Sequence, residues 1–572
     1  MELQDFGLGP YVQTMPSSRF PVYTRGNAGE VYPEVVFPLS TTMARDLGGD
    51  PFSDALLSTG VITRAECDED ADVHMGIFGG YSYLNLSVSR VIAVRTPGAS
   101  IAETDATFLG AEGIAPAHVS RRGDRNPVAM LRGVLHGLKV LLADEIPHLS
   151  TDMAEAAEWR ASLPDFKTAS DDDLVTVMAT SAPMLARMFT GHLLVSGGAG
   201  AGFYMLRDIC SRKLDDGSLA LVMVSGIGEV ASAEPSFALW ELSRTVAGDT
   251  ILTSLFDEGV AGLFERLSTT EDTPSVGAFL ADFDGFLDNY GSRGPNEWEM
   301  ACEVWGTDPA MPLAIIDRMR HAGDDHAPTT RSAARAGERE VAESMARSRL
   351  SGLTRWLFDR ALASAVLHSR AREQGKTMLV EVIHDVRLAA RELGRRMAEL
   401  TPEGRPDDLW YVTYAELDDY RRDPGAFTGV GIYRRGGIEK SHPRCPLATG
   451  SSVLLLRRDA SHRDLGEAGG AQDPGSNCWN SANRYSRLQR NRARPCMRGH
   501  RPVRSGRPGS RRRPDRTPHR PELDTPVRAG RGGGRRRRRP TQPCSDRVTR
   551  TGSAMCGQRY GGDPVHSRRG HG

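Results

Sequence analysis

The sequence predicts an α+β protein that is mainly helical, with a small β-containing part near its N-terminus and a disordered Arg-rich C-terminal tail. Three observations carry this. Apolar residues recur at helical spacing through residues 125–280 and again through 341–400. Runs rich in Val, Ile, Tyr and Phe, broken by Gly and Pro, are concentrated in residues 20–100. Composition then changes abruptly near Arg444. Residues 1–440 hold every Lys, Phe and Ile, with 42 basic and 64 acidic side chains, whereas residues 441–572 hold 30 Arg and 9 acidic residues. The net charges are −22 and +21, so the near-neutral total describes neither part.

Taken in order, Val31–Leu39 and Met75–Val94 carry strand signals, the second interrupted by Gly79-Gly80. The helical stretch from 125 to 280 has turns at Pro147, Pro164 and Pro183, and Asp171-Asp172-Asp173 before Leu174 reads as an acidic helix start. Residues 321–340 look like an exposed linker or hairpin tip and a candidate sub-boundary. Long helices follow. In the last, Leu379, Val382, Ile383, Val386, Ala390, Leu393 and Met397 share one face, while Arg387, Arg391, Glu392, Arg395 and Arg396 read as solvated. Asp407–Leu417 reads as a short strand or turn and a helix start. The division expected is a body, 1–440, and a tail, 441–572.

The N-terminus, Met1-Glu2-Leu3-Gln4-Asp5, has no apolar segment of signal-peptide type, and no run of about 18 apolar residues occurs. The body's Cys67, Cys210 and Cys302 are far apart, which suits a reducing cytoplasm. A cytoplasmic protein without membrane contact is expected. The tail's Arg, Gly, Pro and Ser bury too little apolar surface to offset a chain entropy of roughly 1–2 kcal/mol per residue. Runs such as Arg535–Arg539 would neutralise phosphates, which gives a nucleic-acid arm as one reading. Against it, the tail has no Lys, and its five cysteines (Cys445, Cys478, Cys496, Cys544, Cys556) show no metal-ligand spacing. The other reading is a frame-shifted translation of a GC-rich gene.

The body has no GxxxxGK[ST], HExxH, CxxC or GxSxG, and no metal site is expected. Ser196-Gly197-Gly198-Ala199-Gly200-Ala201-Gly202 is the nearest anion-cradle candidate, its alternative being close helix packing. The most informative stretch is Phe286–Glu299. Gly291 and Gly294 frame Arg293, and Pro295 can begin a helix with acidic residues in its first turn. An Arg fixed in such a loop suits a phosphate or carboxylate; equally, Arg293 and Glu297 can pair to hold the loop. His74, His136, His148 and His192 show no ligand spacing, and His384 reads as helix packing.

This segment, with Trp305 and Asp308-Pro309, resembles the "YGHRGPxE…RWxEDP" element in the central domain of the phosphoenolpyruvate-synthase-like family of phosphoenolpyruvate-utilising enzymes, which includes rifampicin phosphotransferases. Other pieces agree in order: Asn27–Pro33 with Pro38-Leu39, Gly80–Leu86, Arg95–Gly98 with Asp105 and Gly110, and Ser225-Gly226 with Ala233-Glu234-Pro235 and Leu239-Trp240. Arg372–Lys376, Arg387, Leu393–Arg396 and Asp407–Trp410 complete a resemblance that covers roughly residues 20–420. Ser292 departs from it, standing where many members have His or a larger residue.

The resemblance implies a substrate-binding domain to which a phosphohistidine carrier brings its phosphoryl group. Arg293 is then the candidate for stabilising phosphoryl charge, and Asn27, Glu30, Tyr83, Asn85, Arg293 and Glu297 are the substrate-binding candidates. No other residue is given a catalytic role. The ATP-grasp domain is expected on a separately encoded partner, which would hold ATP and Mg; no cofactor is expected in this chain. The tail fits the missing carrier when read one base later. Leu523–Arg528 can then give Trp-Thr-Pro-Leu-Phe, the Arg535–Arg539 run becomes Val, and Gln542-Pro543-Cys544 gives Ser-His-Ala, an order similar to the swivelling phosphohistidine domain. Three functions stay open: a phosphotransferase part inactive alone, a non-catalytic small-molecule binder, and a nucleic-acid binder acting through the tail.

Overall fold

The computed structural model describes residues 14, 17, 19–68, 74–78, 80–110, 115–228, 233–423, 429–435 and 453–455. All lie in the first of the chain's two units, Met1–Pro495; the second, Cys496–Gly572, lies outside the described residues. So do the Arg535–Arg539 run, the Ser-His-Ala position and the tail cysteines and histidines.

Four short strands form one antiparallel sheet in the order β2-β3-β1-β4: β1 (Val22–Thr24), β2 (Met75–Phe78), β3 (Tyr81–Asn85) and β4 (Val453–Leu455). The β2–β3 hairpin turns through Gly80 at φ 84°, where a residue without Cβ is favoured. Aromatic Tyr23, Phe78, Tyr81 and Tyr83 pack together on this sheet. β4 pairs with β1 through Tyr23↔Leu454, so three residues beyond the change in composition belong to the N-terminal sheet.

The helices near this sheet are α1 (Ala28–Val31), α2 (Pro38–Gly48), α3 (Pro51–Thr59), α4 (Arg64–Asp68), α5 (Leu86–Arg95) and α6 (Ile101–Leu109). The Val31–Leu39 strand signal is therefore not realised: Pro38 occupies the first turn of α2, where its missing N–H costs nothing. The second signal stops at Asn85, whose side chain caps α5 by accepting from Val88 N.

Next come α7 (Pro127–Leu142), α8 (Pro147–Ala161) and α9 (Asp171–Leu214), then α10 (Leu219–Met223), α11 (Glu234–Gly248), α12 (Thr250–Asp257), α13 (Leu263–Thr269) and α14 (Pro274–Tyr290). The last are α15 (Ala310–Arg320), α16 (Pro328–Arg349), α17 (Gly352–Ala398) and α18 (Leu417–Arg422). The acidic start at Asp171 is realised as a capping box with Ser170. Pro183 does not end α9, which runs on through it. Residues 328–340 are helical, and only the short connection before them is a turn. Asp407–Leu417 contains two short 3₁₀ turns and no strand.

The long helices α9 and α17 pack along each other and form the spine. A Cβ on Gly198 would fall 2.3 Å from the His368 ring, and one on Gly202 would fall 2.8 Å from the backbone of Ala365. The small residues of 196–202 thus let two backbones approach. They lie inside α9, where their amides serve the helix, so the anion-cradle reading does not hold. One core joins Leu174 and Met178 of α9, Leu39 of α2, Val386 and Leu393 of α17, and Trp410. A second unites α11–α15 around Phe279, Phe283 and Phe286. The apolar face of α17 is buried as its spacing predicts, but Arg387, expected on the solvated face, is wholly buried. No helix among the described residues is long and apolar enough to cross a membrane.

Candidate functional site

The loop after α14 is folded back on itself. Trp305 N donates to Arg293 O at 2.8 Å, and Gly306 N donates to Gly291 O at 2.8 Å. A Cβ on Gly291 would meet Leu287 O at 2.4 Å, and one on Gly294 would meet Val304 Cα at 3.0 Å. The two glycines that frame Arg293 are therefore demanded by close backbone approach. Pro295 begins turns here, not a helix. Arg387 fixes the loop to α17: its guanidinium donates to the carbonyls of Glu297 (2.9 Å), Met300 (3.1 Å) and Glu299 (3.2 Å). Burial pushes that guanidinium down to about 10.

Within this loop Glu297 gathers two cations. Its carboxylate takes Lys376 Nζ at 2.7 Å and Arg293 Nε at 3.1 Å, and the Arg293 guanidinium reaches Thr377 Oγ1 at 3.5 Å. Lys376 is the most accessible of the three side chains, 31% exposed against 7% for Glu297 and 13% for Arg293. Arg372 stands one turn earlier on α17 and pairs with Glu373 at 2.8 Å. His192 of α9 lies within their field: burial, then Arg372, holds its imidazole down at about 4, so it is neutral at pH 7. Its Nδ1 is buried with no hydrogen-bond partner.

His192 also belongs to an aromatic wall. It stacks on Phe189 (centroids 6.0 Å, 11°) and sits 5.8 Å from Trp298, while Phe189 meets Trp298 at 5.6 Å and Phe52 at 5.4 Å. Phe52, Phe189 and Trp298 line a mostly apolar cavity of about 300 Å³, with Met43, Leu185 and Leu379. Its polar lining includes Ser40, Asp50 and Glu299. Glu299 is fully buried; it accepts from the Ser40 hydroxyl and from Ala301 N at 3.2 Å, and burial pushes its carboxyl up to about 7. His192 therefore links an aromatic cavity, which it does not itself line, to a neighbouring cluster of cations.

Of the six substrate-binding candidates, Arg293 and Glu297 come together as an ion pair. Asn27 and Glu30 are exposed at α1, Asn27 with φ 65°. Tyr83 is buried in the sheet's aromatic cluster, and Asn85 is taken up by capping α5 and by donating to Phe20 O at 2.9 Å. None of the six lines the cavity. Sequence reasoning missed the wall. Arg372 and Lys376 carried a signal, two cations at i and i+4, whereas nothing in the sequence joins Phe52 to Phe189 or His192 to Trp298.

Residues 192–373, which contain His192, the Arg293 loop and Arg372, match the family described as the rifampicin phosphotransferase fourth domain. The chain is also similar to the prodigiosin synthesizing transferase PigC of Serratia marcescens, 23% identical over 323 residues that span 53% of this chain and 35% of that protein. The chain thus spans about a third of the length of the curated relative it matches. The resemblance to the phosphoenolpyruvate-utilising, rifampicin phosphotransferase-type family is borne out at this level: the chain carries a phosphotransferase-family domain.

Proposed function

We propose that this chain is the acceptor-binding part of a phosphotransferase that moves a phosphoryl group from phosphohistidine to the hydroxyl of an apolar, aromatic small molecule. The observation that carries this is a neighbourhood: the 300 Å³ cavity takes the apolar body, its Phe189 and Trp298 pack on His192, Arg372 and Lys376 act on His192, and Glu297 ties Arg293 to Lys376. A carrier domain would supply the phosphoryl group, its P–N bond breaking as the acceptor's P–O bond forms. The hydroxyl proton passes to the imidazole nitrogen that loses phosphorus. Phosphoryl transfer spreads negative charge over three equatorial oxygens, so fixed cations and orientation do most of the catalytic work. Lys376 has two ammonium donors beyond the one given to Glu297 and is the most reachable. Arg293, held by Glu297, would place a second charge with little reorganisation. Neutral His192 would accept or donate one hydrogen bond at the wall without adding charge.

Part of this function is expected to need a separate ATP-grasp partner holding ATP and Mg, and a carrier His read from the shifted frame of the tail. Resequencing the coding DNA across codons 435–460, with the intact mass of the native protein, tests the carrier. The transfer test supplies an ATP-grasp protein and an in-frame His domain, with hydroxylated polycyclic aromatics as acceptors. Transfer is expected only with both present and is expected to fall about 100-fold or more in Lys376→Ala. Transfer unaffected by that substitution would sink the assignment. The second reading, a non-catalytic binder, is favoured by the engagement of both Arg293 and Lys376 on Glu297, which offsets part of their charge. It predicts ligand-dependent thermal stabilisation that survives Arg293→Ala.

A further inference from the structure

A second cavity, of about 1040 Å³, is lined by α9, the start of α11, the end of α15, the first turns of α16 and the middle of α17. We propose that it is a separate binding site for a small molecule bearing a phosphate group on an apolar body. This does not rest on the transfer reading, since it applies equally to a binder.

Three arginines carry the inference. Arg318 from α15 and Arg331 and Arg335 from α16 all line the cavity, all three are exposed, and none of their guanidinium groups has an ion-pair or hydrogen-bond partner among the described residues. Other exposed arginines of the body, such as Arg64 and Arg349, are also unpaired among the described residues, but here three face one cavity in a body whose acids exceed its bases by 22. The same helix shows the ordinary outcome a turn further on. Arg339 reaches Glu343 at 3.6 Å, and Arg347 takes Glu343 at 2.8 Å and Asp359 at 3.0 Å. Arg331 and Arg335 instead stand at i and i+4 as like charges, an arrangement that disfavours the helix unless an anion is shared between them.

The acids on the lining do not cancel them. Among the described lining residues Glu373 is paired with Arg372, a fourth arginine of the lining, which leaves Glu234 against Arg318, Arg331 and Arg335. Several cations facing one concavity concentrate its field on an anion, and guanidinium forks match phosphate oxygens in pairs. Phe203, Phe237 and Trp240 also line the cavity, so a phosphate alone would leave apolar surface uncovered. A phosphate ester with an aromatic or aliphatic body covers both.

The test is calorimetric titration of the full chain with 1-naphthyl phosphate, 1-naphthol and inorganic phosphate. The ester is expected to bind about tenfold or more tightly than either half alone. The Arg331→Gln/Arg335→Gln double variant should lose about tenfold in ester affinity with its melting temperature unchanged, while Lys376→Ala should bind as the parent does. Should the double variant melt early, Arg318→Gln alone carries the same test, with a loss of about threefold expected. An ester that binds no better than 1-naphthol overturns the proposal. So does an ester whose affinity ignores the arginines or falls with Lys376→Ala, which would place it in the transfer cluster.

Discussion

The two cavities handle charge in opposite ways. The smaller is apolar, and the charged groups about it are spoken for: Glu299 by Ser40 and Ala301, Glu297 by Arg293 and Lys376, Arg387 by three carbonyls. The larger is lined by three arginines that nothing in the described fold occupies. Compensated charge holds shape, and uncompensated charge waits for a ligand. The groups that hold the first cavity's loop, Arg387 and Glu299, should therefore fail through stability when altered, Lys376 through transfer, and the second cavity's arginines through binding.

The largest effect should come from Arg387→Met. It leaves the Glu297, Glu299 and Met300 carbonyls without their donor in a buried site, and a loss of about 3–5 kcal/mol in unfolding free energy is expected. Denaturant melts would show it. The folded fraction should still bind 1-naphthyl phosphate, because Arg387 does not line the second cavity. A loss below about 1 kcal/mol would mean that the loop is held by its own turns and that the contrast is wrong.

Much of the fold was legible because it depends on local pattern. The face of α17 from Leu379 to Met397, the acidic start of α9 and the Gly79-Gly80 break could be read directly. Where sequence reading failed, tertiary contact had decided. Arg387 reads as solvated because its neighbours at Arg391 and Arg395 are charged; only the carbonyls of a distant loop explain its burial. The run 196–202 reads as a phosphate loop until α17 is laid against it. Arg293 and Glu297 were legible as a pair at i and i+4, but the choice between holding a loop and meeting a phosphate depends on Lys376 and the His192 wall. Asn85 was singled out by the family resemblance of Gly80–Leu86, and its cap on α5 depends on where β3 ends, which that resemblance does not state.

Glu299 offers a pH test of the apolar cavity. Its folded carboxyl sits near 7, above the ordinary value of 4.5. Between those values the folded state keeps a proton that the unfolded state has lost, so this group's contribution falls as pH rises through the window, by roughly 3 kcal/mol at most. Glu299→Gln removes that slope and should gain stability over the parent above pH 7. His192 works in the other direction, since its folded value near 4 lies below 6.5 and stability is lost as pH falls between them. The parent's own pH curve mixes both; the difference between variant and parent isolates Glu299. A flat difference from about pH 5 to 8 would show that solvent reaches the carboxyl.

The smallest effect is the most discriminating for the second cavity. Arg335→Glu would place a carboxylate four residues from both Arg331 and Arg339, turning two like-charge helical pairs into two attractive ones. A gain of about 0.5 kcal/mol in stability is expected, shrinking in about 1 M salt, where charges more than about 3 Å apart are screened. The same substitution should abolish binding of 1-naphthyl phosphate. Opposite signs for stability and binding are what a charge kept for a ligand predicts. If Arg335 instead held an acidic partner for the fold's sake, the substitution would lower both, and the cavity's cations would be structural like those of the first.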